Sequence, residues 1–83
     1  MPVTKSKLIS PETAKALTSQ HCTLARASAR LTLEELADAS GVHFNTISRF
    51  ENGDSVRPST RTKIAEGIAR TAGIDCLARV MGF

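Results

Sequence analysis

Between Leu31 and Pro58 the apolar residues fall into two short clusters with a glycine between them. Leu33 and Leu36 recur at helical spacing on the first side of Gly41, and Val42, Ile47 and Phe50 follow on the second. The second set falls on one face of a helix starting near His43, which leaves His43, Phe44, Asn45, Ser48 and Arg49 on the opposite face. Thr32 and Glu35 have the spacing of a capping box, in which the threonine oxygen takes a free amide and the glutamate reaches back. Ser40-Gly41 closes that first helix, because glycine enters the left-handed region at no steric cost. His43 is a weak N-cap for the second helix beside Ser or Thr, and Asn52-Gly53-Asp54 ends it with turn chemistry. The stretch predicts two short helices at a steep angle, joined by a tight turn. Ala37 is small enough to let the second helix pass close to the first.

The flanking segments also read as helices. Ser10-Pro11-Glu12 has a capping serine, a proline for the first turn and an acid at the positive end. A helix is expected over 11–29, either continuous or in two pieces broken near Ser19-Gln20, where weak helix formers gather. Leu17, Leu24 and Leu31 recur at heptad-like spacing, with Cys22, Ala25 and Ala29 as an adjoining stripe. Downstream, Ile64, Ala65, Ile68 and Ala72 mark the core face of a helix over 60–72. Gly67 either weakens that helix or permits close packing. Gly73 is expected to end it with Ile74 packing back, and Asp75 to cap a last helix over 76–81. Leu77, Val80, Met81 and Phe83 are too apolar for a free tail, and either close the core or form a dimer face. Residues 1–9 form a basic lead with Lys5 and Lys7, read as a frayed end or as an arm touching phosphates. No run alternates as a strand would, so the chain is expected to be all-α.

Composition narrows the function. With 83 residues and 4% aromatic content, the core must be built from Leu, Ile, Val and Ala. The formal charge of +3 leans toward a polyanionic partner. No stretch is long and apolar enough to span a membrane and no signal peptide is visible. Cys22 and Cys76 both lie among helical apolar residues and are expected as buried thiols in a reducing cytosol. His21, His43, Cys22 and Cys76 have no metal-ligand spacing, and no glycine-rich phosphate loop is present. No enzyme, metal or cofactor is therefore expected; Glu34, Glu35, Asp38 and Glu66 read as solvated helix faces.

A helix with an apolar back and a polar front bearing Asn and Arg is shaped for a DNA major groove. The residues LTLEELADASGV, NTISRFENG, RPST and KIAEGI resemble the Cro/repressor type of helix-turn-helix, the XRE family of bacterial and phage regulators. The resemblance spans Cys22 to Ile68. It implies a five-helix lambda-repressor-like domain over 10–83 with an N-terminal helical extension, preceded by the 1–9 arm. It also implies double-stranded DNA as partner, a homodimer, a repressor's role and a cytoplasmic location. Base contacts are expected from Phe44, Asn45 and Arg49, since Asn suits adenine, Arg suits guanine, and a ring can lie on thymine methyls. Backbone contacts are expected from His43, Thr46, Ser48, Arg57 and Ser59. Arg61 stands where relatives usually carry Leu; its stem can cover the core while its head reaches a phosphate. Leu33 stands where relatives often place a phosphate-bonding Gln. By the same resemblance Arg26 forms a buried ion pair with Glu51, against the alternative that Arg26 faces solvent. The rival reading is an antitoxin or other protein-binding adaptor on the same fold, holding a toxin or regulator through the extension and the last helix. The absence of acids among the outward residues 43–49 favours DNA.

Overall fold

A computed structural model describes residues 11–82. The basic lead 1–9, the expected capping residue Ser10, and Phe83 lie outside the described residues. Among these residues six helices follow in order: α1 (Pro11–Ala16), α2 (Ser19–Ala29), α3 (Leu33–Ser40), α4 (Phe44–Glu51), α5 (Pro58–Thr71) and α6 (Ile74–Met81). No strand occurs among the described residues. The last five helices make the expected five-helix array, and α1 is the extension.

Of the two arrangements left open for residues 11–29, the chain adopts the broken one, with the break at Leu17-Thr18. Thr18 caps α2 in a box whose return arm is a histidine. The Thr18 amide donates to His21 Nδ1 at 3.1 Å, and the His21 amide donates to Thr18 Oγ1 at 3.2 Å. This break overturns the heptad stripe. Leu17 is buried, but the restarted helix turns Cys22 and Ala25 inward and leaves Leu24 55% exposed. At its other end α2 closes on Arg30 in the left-handed region, φ 57°, with the Leu31 amide donating to Arg26 O at 2.9 Å.

Thr32 and Glu35 form the capping box at the start of α3, with bonds of 3.0 and 2.8 Å. Gly41 turns the chain at φ 74°. The buried Ser40 hydroxyl accepts the Val42 amide at 3.2 Å, which fixes the entry to the next helix. Helices α3 and α5 cross at Gly67, where a Cβ would stand only 2.6 Å from Ser40 Cβ and 2.9 Å from Ser40 Cα. Close packing, not helix weakening, is therefore what this glycine is for. Across the same crossing Arg70 Nη1 donates to Ala39 O at 3.1 Å, satisfying one of the free carbonyls at the end of α3.

The core is built by Leu17, Leu36, Ile47, Ile64, Ile68 and Leu77, each at most 1% exposed, with Cys22, Ala25 and Phe50 between them. Two expectations about the C-terminal end fail for one reason. Gly73, at φ 96°, immediately precedes α6, so Ile74 is its first residue and Asp75 lies inside its first turn. Asp75 is thus not the cap, and Ile74, 47% exposed, does not fold back on α5. Leu77 enters the core, with Val80 and Met81 half-buried against it. Cys76 is half-buried, in contrast to the fully buried Cys22, and both are free thiols.

Candidate nucleic-acid interface

Helix α4 is held from behind and capped from in front. Ile47 is fully buried, Phe50 is 3% exposed and Val42 is 7% exposed, so its apolar side is spent on the core. Its first amides find a partner in the residue the sequence made a poor cap: His43 Nδ1 accepts the Asn45 amide at 3.1 Å. That bond requires a neutral Nδ1 and leaves the proton on Nε2. The His43 ring stacks on Phe44, with centroids 4.5 Å apart.

The outward side presents His43, Phe44, Asn45 and Arg49 as exposed residues, with Thr46 and Ser48 half-buried. Phe44 is 40% exposed and takes no part in the core. Beside this face runs a groove of about 490 Å³, lined by Thr46, Arg49, Asp54, Ser55, Val56, Arg57 and Thr60. It joins the front of α4 to the loop after it and to the start of α5. Arg49 and Arg57 make no ion pair among the described residues. Asp54 is the one carboxylate among the described residues lining the groove, and its amide is tied back to Arg49 O at 2.9 Å. At the start of α5, Arg57 occupies the cap position without any side-chain cap bond, and Pro58 opens the helix. The free amides there, with the exposed Ser59 beside them, form the positive end of a fourteen-residue helix.

The far end of α4 is anchored by charge. Arg26 Nε donates to Glu51 Oε2 at 2.8 Å and Arg26 Nη2 to Glu51 Oε1 at 3.0 Å, a bidentate pair. Arg26 Nη1 also donates to Leu31 O at 3.0 Å, which ties the end of α2 into the same knot. The carboxylate has a third donor that sequence reasoning did not find, the Cys22 thiol at 3.4 Å from Oε2. Cys22 lies four residues before Arg26, on the same helix face, and that spacing was the available signal. Burial, the negative charge of Glu51 and the hydrogen bond to it push the Cys22 thiol far above its usual range, with Arg26 opposing. The thiol therefore stays protonated and acts as a donor, not as a nucleophile. Cys22 is expected to resist alkylation in the folded protein until urea unfolds it, whereas the half-buried Cys76 reacts first. Mapping the adduct by mass spectrometry checks this; native-state labelling of Cys22 at the rate of a free thiol would contradict it.

Arg61 lies on the other side of the loop. Its guanidinium carbon stands 5.6 Å from the centre of the Phe50 ring and its Nη1 donates to Lys15 O, the carbonyl near the end of α1, at 3.1 Å. Its Nε is buried without a hydrogen-bond partner among the described residues. No group of His, Cys, Asp or Glu among the described residues can hold a metal ion, and none of the described helices is long and apolar enough to cross a membrane.

A profile of the helix-turn-helix family matches residues 24–74, over half of the chain. This chain belongs to the XRE family of helix-turn-helix proteins. The match begins inside α2 and ends at the first residue of α6, so α3 and α4 are the helix-turn-helix and α1 lies outside the family's span. As an XRE-family member the chain is a DNA-binding regulator in the general sense. Searches of curated proteins and of solved structures gave no significant match.

Proposed function

We propose that this XRE-family chain is a sequence-specific repressor that binds as a homodimer, laying the outward face of α4 in the major groove. The supporting observation is the orientation of that helix. Ile47 and Phe50 are buried behind it, while Asn45 and Arg49 stand exposed in front, with no carboxylate among the described residues paired to Arg49. In this reading Asn45 takes an adenine edge, Arg49 a guanine edge and Phe44 a thymine methyl. Arg57, Ser59 and the uncapped amides of α5 hold a phosphate, with His43, Thr46 and Ser48 on the neighbouring backbone. Three base-reading side chains bind weakly alone, so two copies on half-sites about 34 Å apart supply the affinity. The protein acts in the cytoplasm by occupancy of DNA, and no step in this reading is catalytic.

Selection of bound duplexes from a random pool, with the mass of the complex measured, tests the proposal. The expected product is a short two-fold related sequence bound by two copies. Arg49→Ala is expected to relax one position, removing about 1–3 kcal/mol of discrimination while leaving the fold intact. Arg57→Ala is expected to weaken all duplexes alike and to lower the slope of log affinity against log salt by about one. A pool that shows no enrichment, or Arg49→Ala selecting the parent's sequence with unchanged preference, would overturn the assignment.

A further inference from the structure

A second cavity, of about 240 Å³, opens between the end of α1, the start of α2, the loop after α4 and the first turn of α5. Its wall includes Lys15, Ser19, Ser55 and Arg61. The chemistry of this wall is that of an anion site. Lys15 is exposed and makes no ion pair among the described residues. Arg61 is fixed from two sides, by the Lys15 carbonyl on Nη1 and by the Phe50 ring beneath it, yet it meets no carboxylate within ion-pair distance among the described residues. A guanidinium so placed has little rotamer freedom left to lose, and with Nε buried its remaining Nη1 and Nη2 N–H groups still offer a fork to a phosphate. Two hydroxyls, Ser19 and Ser55, are additional donors. Among the described residues Asp54 is the one acid on the wall, against the two cations Lys15 and Arg61.

The position of the cavity says which phosphate it meets. Asp54 and Ser55 line both this cavity and the groove beside α4, so the loop is a shared wall and the two lie next to each other. We infer that Lys15 and Arg61 clamp a DNA backbone phosphate next to the one held at the start of α5, extending the footprint through a helix that lies outside the family's span. The inference rests on the DNA-binding reading of α4 and adds to it a role for the extension. Contact by Arg61 is then indirect in its origin: α1 positions the guanidinium through the Lys15 carbonyl, and without α1 the side chain has no such tether.

The test uses the full chain and the duplex it selects. Lys15→Gln removes an exposed charge. Arg61→Leu removes the other while keeping an apolar stem against Phe50. The double variant is expected to retain the parent's base preference and to lower the salt slope by about 0.9, one phosphate's worth of counterion release. Ethylation of individual phosphates is expected to interfere with the parent at one flanking position that no longer matters to the double variant. An unchanged slope and ethylation pattern, with Arg57→Ala still lowering the slope, would overturn the clamp and leave the reading of α4 standing. If inorganic phosphate saturated the amide resonances of Ser19 and Ser55 while the salt slope of the double variant matched the parent's, the cavity would be a free-anion site and the DNA assignment would be overturned. Loss of all DNA binding in the parent would instead count against the reading on which the clamp rests.

Discussion

Gly67→Val is expected to abolish cooperative folding, and Gly67→Ala to lower stability by about 2 kcal/mol. The sign of the alanine result is the informative part. Within a helix, alanine is favoured over glycine by about 1 kcal/mol, so helix propensity alone predicts a gain. Gly67 sits where α5 crosses α3, and an added Cβ meets Ser40 Cβ at 2.6 Å, Ser40 Cα at 2.9 Å and Ser40 N at 3.0 Å. Two of those three atoms are backbone, which cannot rotate aside, so the helices must separate. Separation also stretches the Arg70 bond to Ala39 and loosens the packing of α3 on α5. Overpacking of this kind costs about 1–3 kcal/mol, and more where backbone is met. Valine adds two further groups, and a chain of this length has only about 5–10 kcal/mol to lose. Urea unfolding checks it: Gly67→Ala should move the midpoint down with the slope unchanged. Ser40→Gly in the same chain should recover part of the loss, a coupling that distant sites do not show. A Gly67→Ala protein at least as stable as the parent would contradict the close crossing.

Arg26→Met is expected to cost about 3–5 kcal/mol, because it strands Glu51 with one weak donor. The Glu51 side chain is 11% exposed against 25% for Arg26. The carboxylate is thus the deeper partner and the one that suffers most when left alone. After the substitution only the Cys22 thiol still donates to it, and Leu31 O loses its side-chain donor as well. Glu51→Gln is expected to cost less, about 1–2 kcal/mol, since an amide oxygen can still accept from the guanidinium. Replacing both partners by apolar residues should recover much of the loss, as is usual where an ion pair gives way to packing. Thermal and urea unfolding of the three variants decide the order. If Arg26→Met unfolded like the parent, the pair would not anchor the end of α4.

Much of this was legible in the residues. The helix-turn-helix is written locally, through Thr32 and Glu35, Gly41, and the Val42, Ile47 and Phe50 face, and each of those signals works within one turn of where it stands. What failed depended on phase or on neighbours far away in the chain. The heptad of Leu17, Leu24 and Leu31 assumed one continuous helix, and the cap at Thr18 resets the phase between the first two. The box there uses a histidine where glutamate is the familiar partner. Asp75 reads as a cap only if Gly73 belongs to α5 alone, whereas Gly73 is the junction of both helices. Gly67 was ambiguous in sequence because what decides its meaning is Ser40, brought there only by the fold. The same holds at the interface. The apolar back of α4 was readable, but the third donor on Glu51 and the Lys15–Arg61 cavity arise from segments that meet only when the chain is folded.

In the proposed complex the exposed side of α4 enters a major groove with Arg49 on a guanine edge. Methylation of guanine N7 in the selected duplex tests it most directly, because that atom lies on the major-groove edge. Methylation of one guanine per half-site is expected to block the parent and to leave Arg49→Ala indifferent at that guanine. Parent binding insensitive to N7 methylation, with interference confined to adenine N3 in the minor groove, would contradict the account.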